Sequence, residues 1–190
     1  MAENQTQVKK ENPYKVVTGK ARLSYVQVFN VNDDGKYSLA VLIPKTDTAT
    51  VAKINAAIEK LKQDPKAQQV WGGKFLANYK TPLRDGDTER DTDASPEYKG
   101  HWFLNASTKS KPQVVDQNVE PILSQDELYS GCYGRVSINF YAFNQDGGKG
   151  IAAGLNNVQK MADGDRLGGR SDAADDFGPV TEDEEEGFLS

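Results

Sequence analysis

From Arg135 to Phe143 the chain alternates without a break. Val136, Ile138, Phe140 and Ala142 fall on one side; Arg135, Ser137, Asn139, Tyr141 and Phe143 fall on the other. A period of two over this length is a strand with one face on a core and one in water, which points to an antiparallel sheet rather than a parallel sheet covered by helices. The outward face is unusual in carrying an arginine and two aromatic rings beside its amides.

Other segments share strand chemistry. Tyr14–Val31 is rich in Val, Tyr, Thr and Phe and is interrupted at Gly19, a residue suited to the sharp bend of a small barrel. Within it Leu23, Tyr25 and Phe29 share one parity and are expected on the core side, with Lys20, Arg22 and Ser24 opposite. Asn32–Gly35 predicts a tight hairpin turn, and the return strand Lys36–Ile43 stops at Pro44. Strand chemistry resumes at His101–Ser107, and a basic turn, Lys109–Pro112, leads into Gln113–Asp116.

Between the second and third of these lies a helix. Asp47 or a neighbouring Thr can cap it, Val51, Ile54, Ile58 and Leu61 form one apolar stripe, and Asp64-Pro65 ends it. The stretch 66–79 has room for a short second helix, and 121–130 for a helical turn over one end of a barrel. Lys80–Lys99, dense in Asp, Thr, Gly and Pro, reads as a long loop. After a turn at Asp146–Gly148, the spacing of Ile151, Leu155 and Val158 suggests a short helix or clasp.

About five strands with one inserted helix and little βαβ pattern predict a mainly β fold: a five-stranded antiparallel barrel of OB type, with a β-sandwich as the alternative. The expected organisation is a flexible N-terminus over residues 1–12, the barrel domain over 13–162, and a disordered tail over 163–190.

Charge is divided sharply along the chain. Residues 171–190 hold eight carboxylates and no Lys or Arg; the remainder holds 23 basic against 20 acidic residues, so a body of +3 carries the tail of a chain whose total is −5. A mildly basic body joined to an anionic tail suits a tail that imitates or competes with a polyanion; the plainer alternative is a solubilising extension.

Several functions are disfavoured. No apolar run approaches the roughly 18 residues of a membrane span, and Met1–Asn12 has no apolar signal region, so the expected location is the cytoplasm. One cysteine, Cys132, makes no internal disulfide, and with the lone His101 it cannot form a His/Cys zinc site. Gly72–Phe75 and Gly147–Gly150 lack the spacing of a phosphate loop. The acidic ladder Asp85, Asp87, Glu89, Asp91, Asp93 fails as a calcium loop, with Arg90 where the turn glycine belongs and Pro96 where a bidentate Glu belongs. No metal or cofactor is expected, although a metal-dependent nuclease using Asp85–Asp93 stays as a rival.

Single-stranded nucleic acid is held by cations that track phosphates and by rings on which unpaired bases stack. Candidates for that work are Lys20 and Arg22 on the first strand, Lys80 and Arg84 at the start of the loop, and Tyr98 and Lys99 before Trp102 and Phe103. Lys109 and Lys111 follow in the basic turn, and Arg135, Tyr141 and Phe143 come from the alternating strand. Trp102 and Phe103 have opposite parity, so one faces the core, and parity does not decide which. Phe140 belongs to the core.

Three ordered blocks, Tyr98–Asp116, Gly131–Tyr141 and Gly154–Gln159, resemble the bacteriophage single-stranded-DNA-binding proteins, over roughly residues 13–170. The resemblance implies an OB fold, sequence-tolerant binding of single-stranded DNA in phage replication or recombination, and no enzymatic activity. It also implies that the tail, with Asp183, Glu184, Glu185, Glu186, Phe188 and Leu189, occupies the DNA groove or recruits a polymerase, helicase or primase. Tails of this kind often finish on an aromatic residue, whereas here Leu189 and Ser190 follow Phe188. A pure adaptor of a replication complex is the alternative function, and a homodimer stays open.

Overall fold

The computed structural model describes residues 11–73, 81–145, 148–168 and 176–177. Eight strands form one sheet: β1 (Lys15–Val17), β2 (Ala21–Gln27), β3 (Tyr37–Pro44), β4 (Arg84–Asp85), β5 (His101–Thr108), β6 (Gln113–Val115), β7 (Tyr133–Gln145) and β8 (Gly148–Ala162). Five of them close. β2 pairs β3, β3 pairs β5, β5 pairs β8, β8 pairs β7, and β7 returns to β2. This is the OB-type barrel, mainly β as expected. One closing pair, β5 with β8, is parallel, as is β6 with β8, so the barrel is not wholly antiparallel.

The barrel interior follows from period-two alternation. Leu23, Leu39, Val41, Ile43, Leu104, Ala106, Val136, Ile138, Phe140, Ile151, Ala153, Leu155 and Val158 are buried together. Helix α1 (Thr48–Lys62) closes one end with Ile54, Ala57, Ile58 and Leu61, and Asp47 caps it by accepting from the Thr50 amide at 3.1 Å. Helix α2 (Pro65–Val70) starts where α1 ends, because Asp64 accepts from the Lys66 amide and Pro65 opens the first turn.

Three expectations fail. Residues 148–162 are not a helix or clasp but the longest described strand, paired to β7 except at Asn156 and Met161. Ile151, Ala153 and Leu155 alternate inward. An extra residue, Asn156, then bulges, because Ser137 and Ile138 face Asn157 and Leu155. The bulge shifts parity, so the next inward residue is Val158, and a gap of three imitates a helical step.

The stretch 80–99 is not an open loop over its described part. β4, the short helix α3 (Gly86–Glu89) and a 3₁₀ turn (Pro96–Tyr98) fold it against β5, anchored by buried Leu83, Gly86 and Tyr98. Beyond Met161 the chain stays docked as far as Gly168. The Tyr129 hydroxyl donates to Asp163 at 2.9 Å, the Leu167 amide to the Ser130 carbonyl at 2.9 Å, and Arg22 Nη2 to the Asp165 carbonyl at 2.9 Å. The rest of the tail with a proposed docking role, Asp183–Glu186, Phe188 and Leu189, lies outside the described residues.

Candidate nucleic-acid interface

The pairings of five strands place a single row of residues across the outside of the barrel. Tyr133 of β7 lies opposite Arg22 of β2, Arg22 opposite Leu42 of β3, Leu42 opposite Phe103 of β5, and Phe103 opposite Arg84 of β4. Their chain neighbours Leu23, Val41, Ile43 and Leu104 point into the barrel, so alternation turns this row outward. At about 4.8 Å per strand the row spans about 19 Å.

Cations stand at both ends. Lys20 and Arg22 lie 5.0 and 5.7 Å from the centre of the Tyr133 ring. At the far end Arg84 lies 5.0 Å from the Phe103 ring, and Arg90 lies 4.8 Å from Phe103 and 5.3 Å from Tyr98. Beside the first pair, Arg166 sits 4.3 Å and Lys160 5.4 Å from the Tyr129 ring. Lys160 also holds Asp163 at 2.7 Å, and that lysine, with the Tyr129 hydroxyl, keeps the Asp163 carboxyl below the ordinary carboxylate range. Arginines laid on rings are oriented without losing their charge, although Arg84 Nε also pairs with Glu89 at 3.1 Å and Arg22 donates to the Gly131 and Asp165 carbonyls, which leaves only their remaining N–H groups to donate.

Two expected stacking rings are enclosed. Phe103 is fully buried and Tyr98 is 2% exposed; with Ala40 and Leu42 they form a second apolar cluster on the outer side of β3 and β5, their rings meeting edge to face at 5.1 Å. Burial pushes the Tyr98 hydroxyl above its ordinary pKa. A stacking role for these two rings needs an open face that the structure does not give them, because the 84–98 segment and its arginines cover them. Trp102 has the other parity: it packs against the main core, half-buried, with Lys45 5.0 Å over its ring.

The remaining candidates scatter. Lys99 is exposed beside the 3₁₀ turn, and Lys109 and Lys111 are exposed in the turn before β6, about 20 Å along β5 from Phe103. Arg135 faces outward but is engaged by Gln159 at 2.6 Å. Tyr141, 45% exposed, and Phe143 lie eight and ten residues along β7 from Tyr133, about 27 and 34 Å along the strand, where Tyr141 lies against Gly154. Lys80 lies outside the described residues.

Sequence reasoning missed Tyr25, Arg90, Tyr129, Tyr133, Lys160 and Arg166. Tyr25 was expected in the core by parity with Leu23. Instead β2 bulges between Ser24 and Gln27, and Tyr25 stands 69% exposed. Arg90 was hidden inside an acidic ladder, and only the fold sets it over Tyr98 and Phe103.

The ladder has other partners. Lys45 bonds Asp85 and Asp87, each at 2.7 Å, and these two carboxylates hold the lysine above its ordinary pKa. Asp85 also caps α3 by accepting from the Asp87 amide, and Asp87 accepts from the Gly100 amide. Among the described residues no three His, Cys, Asp or Glu side chains gather in a way that would hold a metal ion. Cys132 is fully buried, and burial raises its thiol pKa, the opposite of what a nucleophile needs.

A closed five-stranded barrel with cations and rings across its β2–β3–β5 face is the architecture of an OB-type nucleic-acid-binding protein. The sequence pattern of the family described as Enterobacter phage Enc34, ssDNA-binding protein, matches residues 14–189. The protein p50 of Acyrthosiphon pisum secondary endosymbiont phage 1 is 33% identical over 192 residues, covering 93% of this chain and 99% of that protein. The chain therefore belongs to the Enc34 family of phage single-stranded-DNA-binding proteins.

Solved structures are similar as well. The C-terminally truncated protein of bacteriophage Enc34 superposes with a TM-score of 0.70 at 27% identity, covering 81% of this chain and 89% of that one. The Enc34 protein in complex with single-stranded DNA gives 0.69 at 27% identity, covering 88% and 100%. The single-stranded DNA-binding protein gp2.5 of bacteriophage T7 shares the fold, with a TM-score of 0.59 at 14% identity and coverage of 88% and 98%.

Proposed function

We propose that this protein coats single-stranded DNA without reading its sequence during phage replication or recombination in the host cytoplasm, and that it does so without a chemical step. The row from Tyr133 to Arg84, with Lys20, Arg22, Arg84 and Arg90 at its ends, carries the reading. Cations at the two ends of a row about 19 Å long can follow a flexible phosphate chain, a contact that carries no base sequence.

The acidic tail competes with DNA for these cations and offers the same carboxylates to replication proteins. Its root supports this: Arg22 donates to the Asp165 carbonyl, so the tail leaves the barrel beside Lys20 and Arg22. The test is a salt titration of oligo(dT) binding, with duplex and RNA controls. Four phosphate contacts give a slope of log K on log salt of about −3. Removing residues 171–190 should tighten binding, most at low salt where screening is weakest. Absence of binding by the full chain and the truncated one in dilute buffer would refute the reading; unchanged affinity on truncation would refute the competition.

A further inference from the structure

Tyr25 has a backbone that its side chain disfavours. Its φ is 47°, in the left-handed region where residues other than glycine, Asn and Asp are uncommon, and a bulky ring there needs a reason. The residues around it do not leave it free to relax. Ser24, 3% exposed, shares a hydrogen bond with the Tyr98 hydroxyl, and the Val26 amide donates to Ser130 Oγ at 3.0 Å. The bulge between Ser24 and Gln27 sets Tyr25 and Val26 against Leu39 alone and takes both out of the ladder. The result is an aromatic ring, 69% exposed, presented on a pinned backbone on the side of Tyr98, whose own ring carries Arg90 at 5.3 Å.

Strain that the surroundings enforce is a pointer to function when it is observed rather than assumed. An exposed flat ring with a guanidinium one ring away, across Tyr98, meets both needs of a nucleotide in a single strand: a face for the base and a charge for the adjoining phosphate. We propose that Tyr25 is a base-stacking platform of the interface, held out by the β2 bulge to take one unpaired base while Arg90 meets the adjoining phosphate. This rests on the single-strand-binding reading above and adds to it a residue on which that binding depends.

Tyr25→Gly, Tyr25→Ala and Tyr25→Phe in the full-length chain test it, with oligo(dT) and an oligonucleotide of the same length made of abasic sugar-phosphates as probes. Stacking one base on a ring corresponds to about a 5- to 150-fold change in affinity. Tyr25→Gly should melt no lower than the parent, since glycine accepts the positive φ, yet bind oligo(dT) at least 5-fold more weakly with an unchanged salt slope. Tyr25→Phe should stay within about 2-fold of the parent, because the face is what matters. On the abasic probe the parent and all three variants should bind alike.

Oligo(dT) binding by Tyr25→Gly and Tyr25→Ala equal to that of the parent would overturn the platform. So would an equal loss on both probes, which would mean a contact to the backbone or a surface for another protein. If the parent itself ignores oligo(dT) in dilute buffer, the single-strand reading falls along with this one.

Discussion

The guanidinium of Arg90 lies 4.8 Å from the centre of the Phe103 ring, on the outer wall of the barrel rather than inside it. Twelve residues, including the 3₁₀ turn, lie between the two in sequence. Their contact seals a small apolar cluster of Ala40, Leu42, Tyr98 and Phe103, and it fixes a positive charge at the end of the row that crosses β2, β3 and β5.

Arg90→Ala should therefore do two separable things. It removes cation–π contacts worth about 0.5–1 kcal/mol each at exposed sites, lowering the melting temperature by a few degrees. It also removes one phosphate partner, flattening the salt dependence of oligo(dT) binding by about 0.7. Arg90→Lys should keep the salt slope and lose part of that stabilisation, since a lysine keeps the charge but not the planar fit. Parallel melting curves and salt titrations read both effects.

Arg22 joins the row to the root of the tail, donating to the Gly131 carbonyl at 3.3 Å and to the Asp165 carbonyl at 2.9 Å. Arg22→Ala should loosen residues 163–168, seen as faster hydrogen exchange at the Leu167 amide, which donates to the Ser130 carbonyl. Lys20→Ala, which removes a charge from the same ring without touching the strap, should weaken DNA binding and leave that exchange rate unchanged.

Two glycines of the β7–β8 pair should respond in opposite ways. A Cβ at Gly134 would meet the Gln159 carbonyl oxygen at 2.6 Å, and because the obstacle is backbone the strands themselves must part. Gly134→Ala should cost about 1–3 kcal/mol in urea unfolding. Gly148→Ala, with nothing within 4 Å of its Cβ, should be close to neutral.

The Tyr14 hydroxyl donates to Asp64, which raises the tyrosine pKa to about 12 and keeps the Asp64 carboxyl below its ordinary value. The folded tyrosine holds its proton more tightly than the unfolded one, so its stabilisation is complete below about pH 10 and is lost as pH rises to 12. For Asp64 the sign is opposite: stability is present above about pH 4 and falls as acid protonates the carboxylate. Urea midpoints of the parent and Tyr14→Phe, measured from pH 3 to 12, should differ most near neutrality and converge at both extremes.

Local pattern carried most of the elements. The alternation of β7, the turn at Asn32–Gly35, the stripe of α1 and its Asp47 cap are all properties of neighbours in sequence, and all stand in the structure. The errors share one cause. A bulge adds a residue to one strand only, so parity beyond it reverses, and the pattern that revealed β7 misplaced both Tyr25 and the strand from Gly148 to Ala162. Composition misled at 84–98, where Leu83, Gly86 and Tyr98 are enough to bind an acidic segment to β5.

The candidate site was legible only in its ingredients. Lys20, Arg22 and Arg84 could be named as cations, but a list of charged and aromatic residues has no spatial order, and Tyr141 and Lys109 had the same standing as Arg22 until the strands paired. By itself the sequence determined the class of fold and the charge division between body and tail, because hydrophobic period and composition act over a few residues. Tertiary structure alone decided which cations stand together, which rings are sealed and which single ring is held out, because those outcomes depend on register across five strands that are distant in the chain.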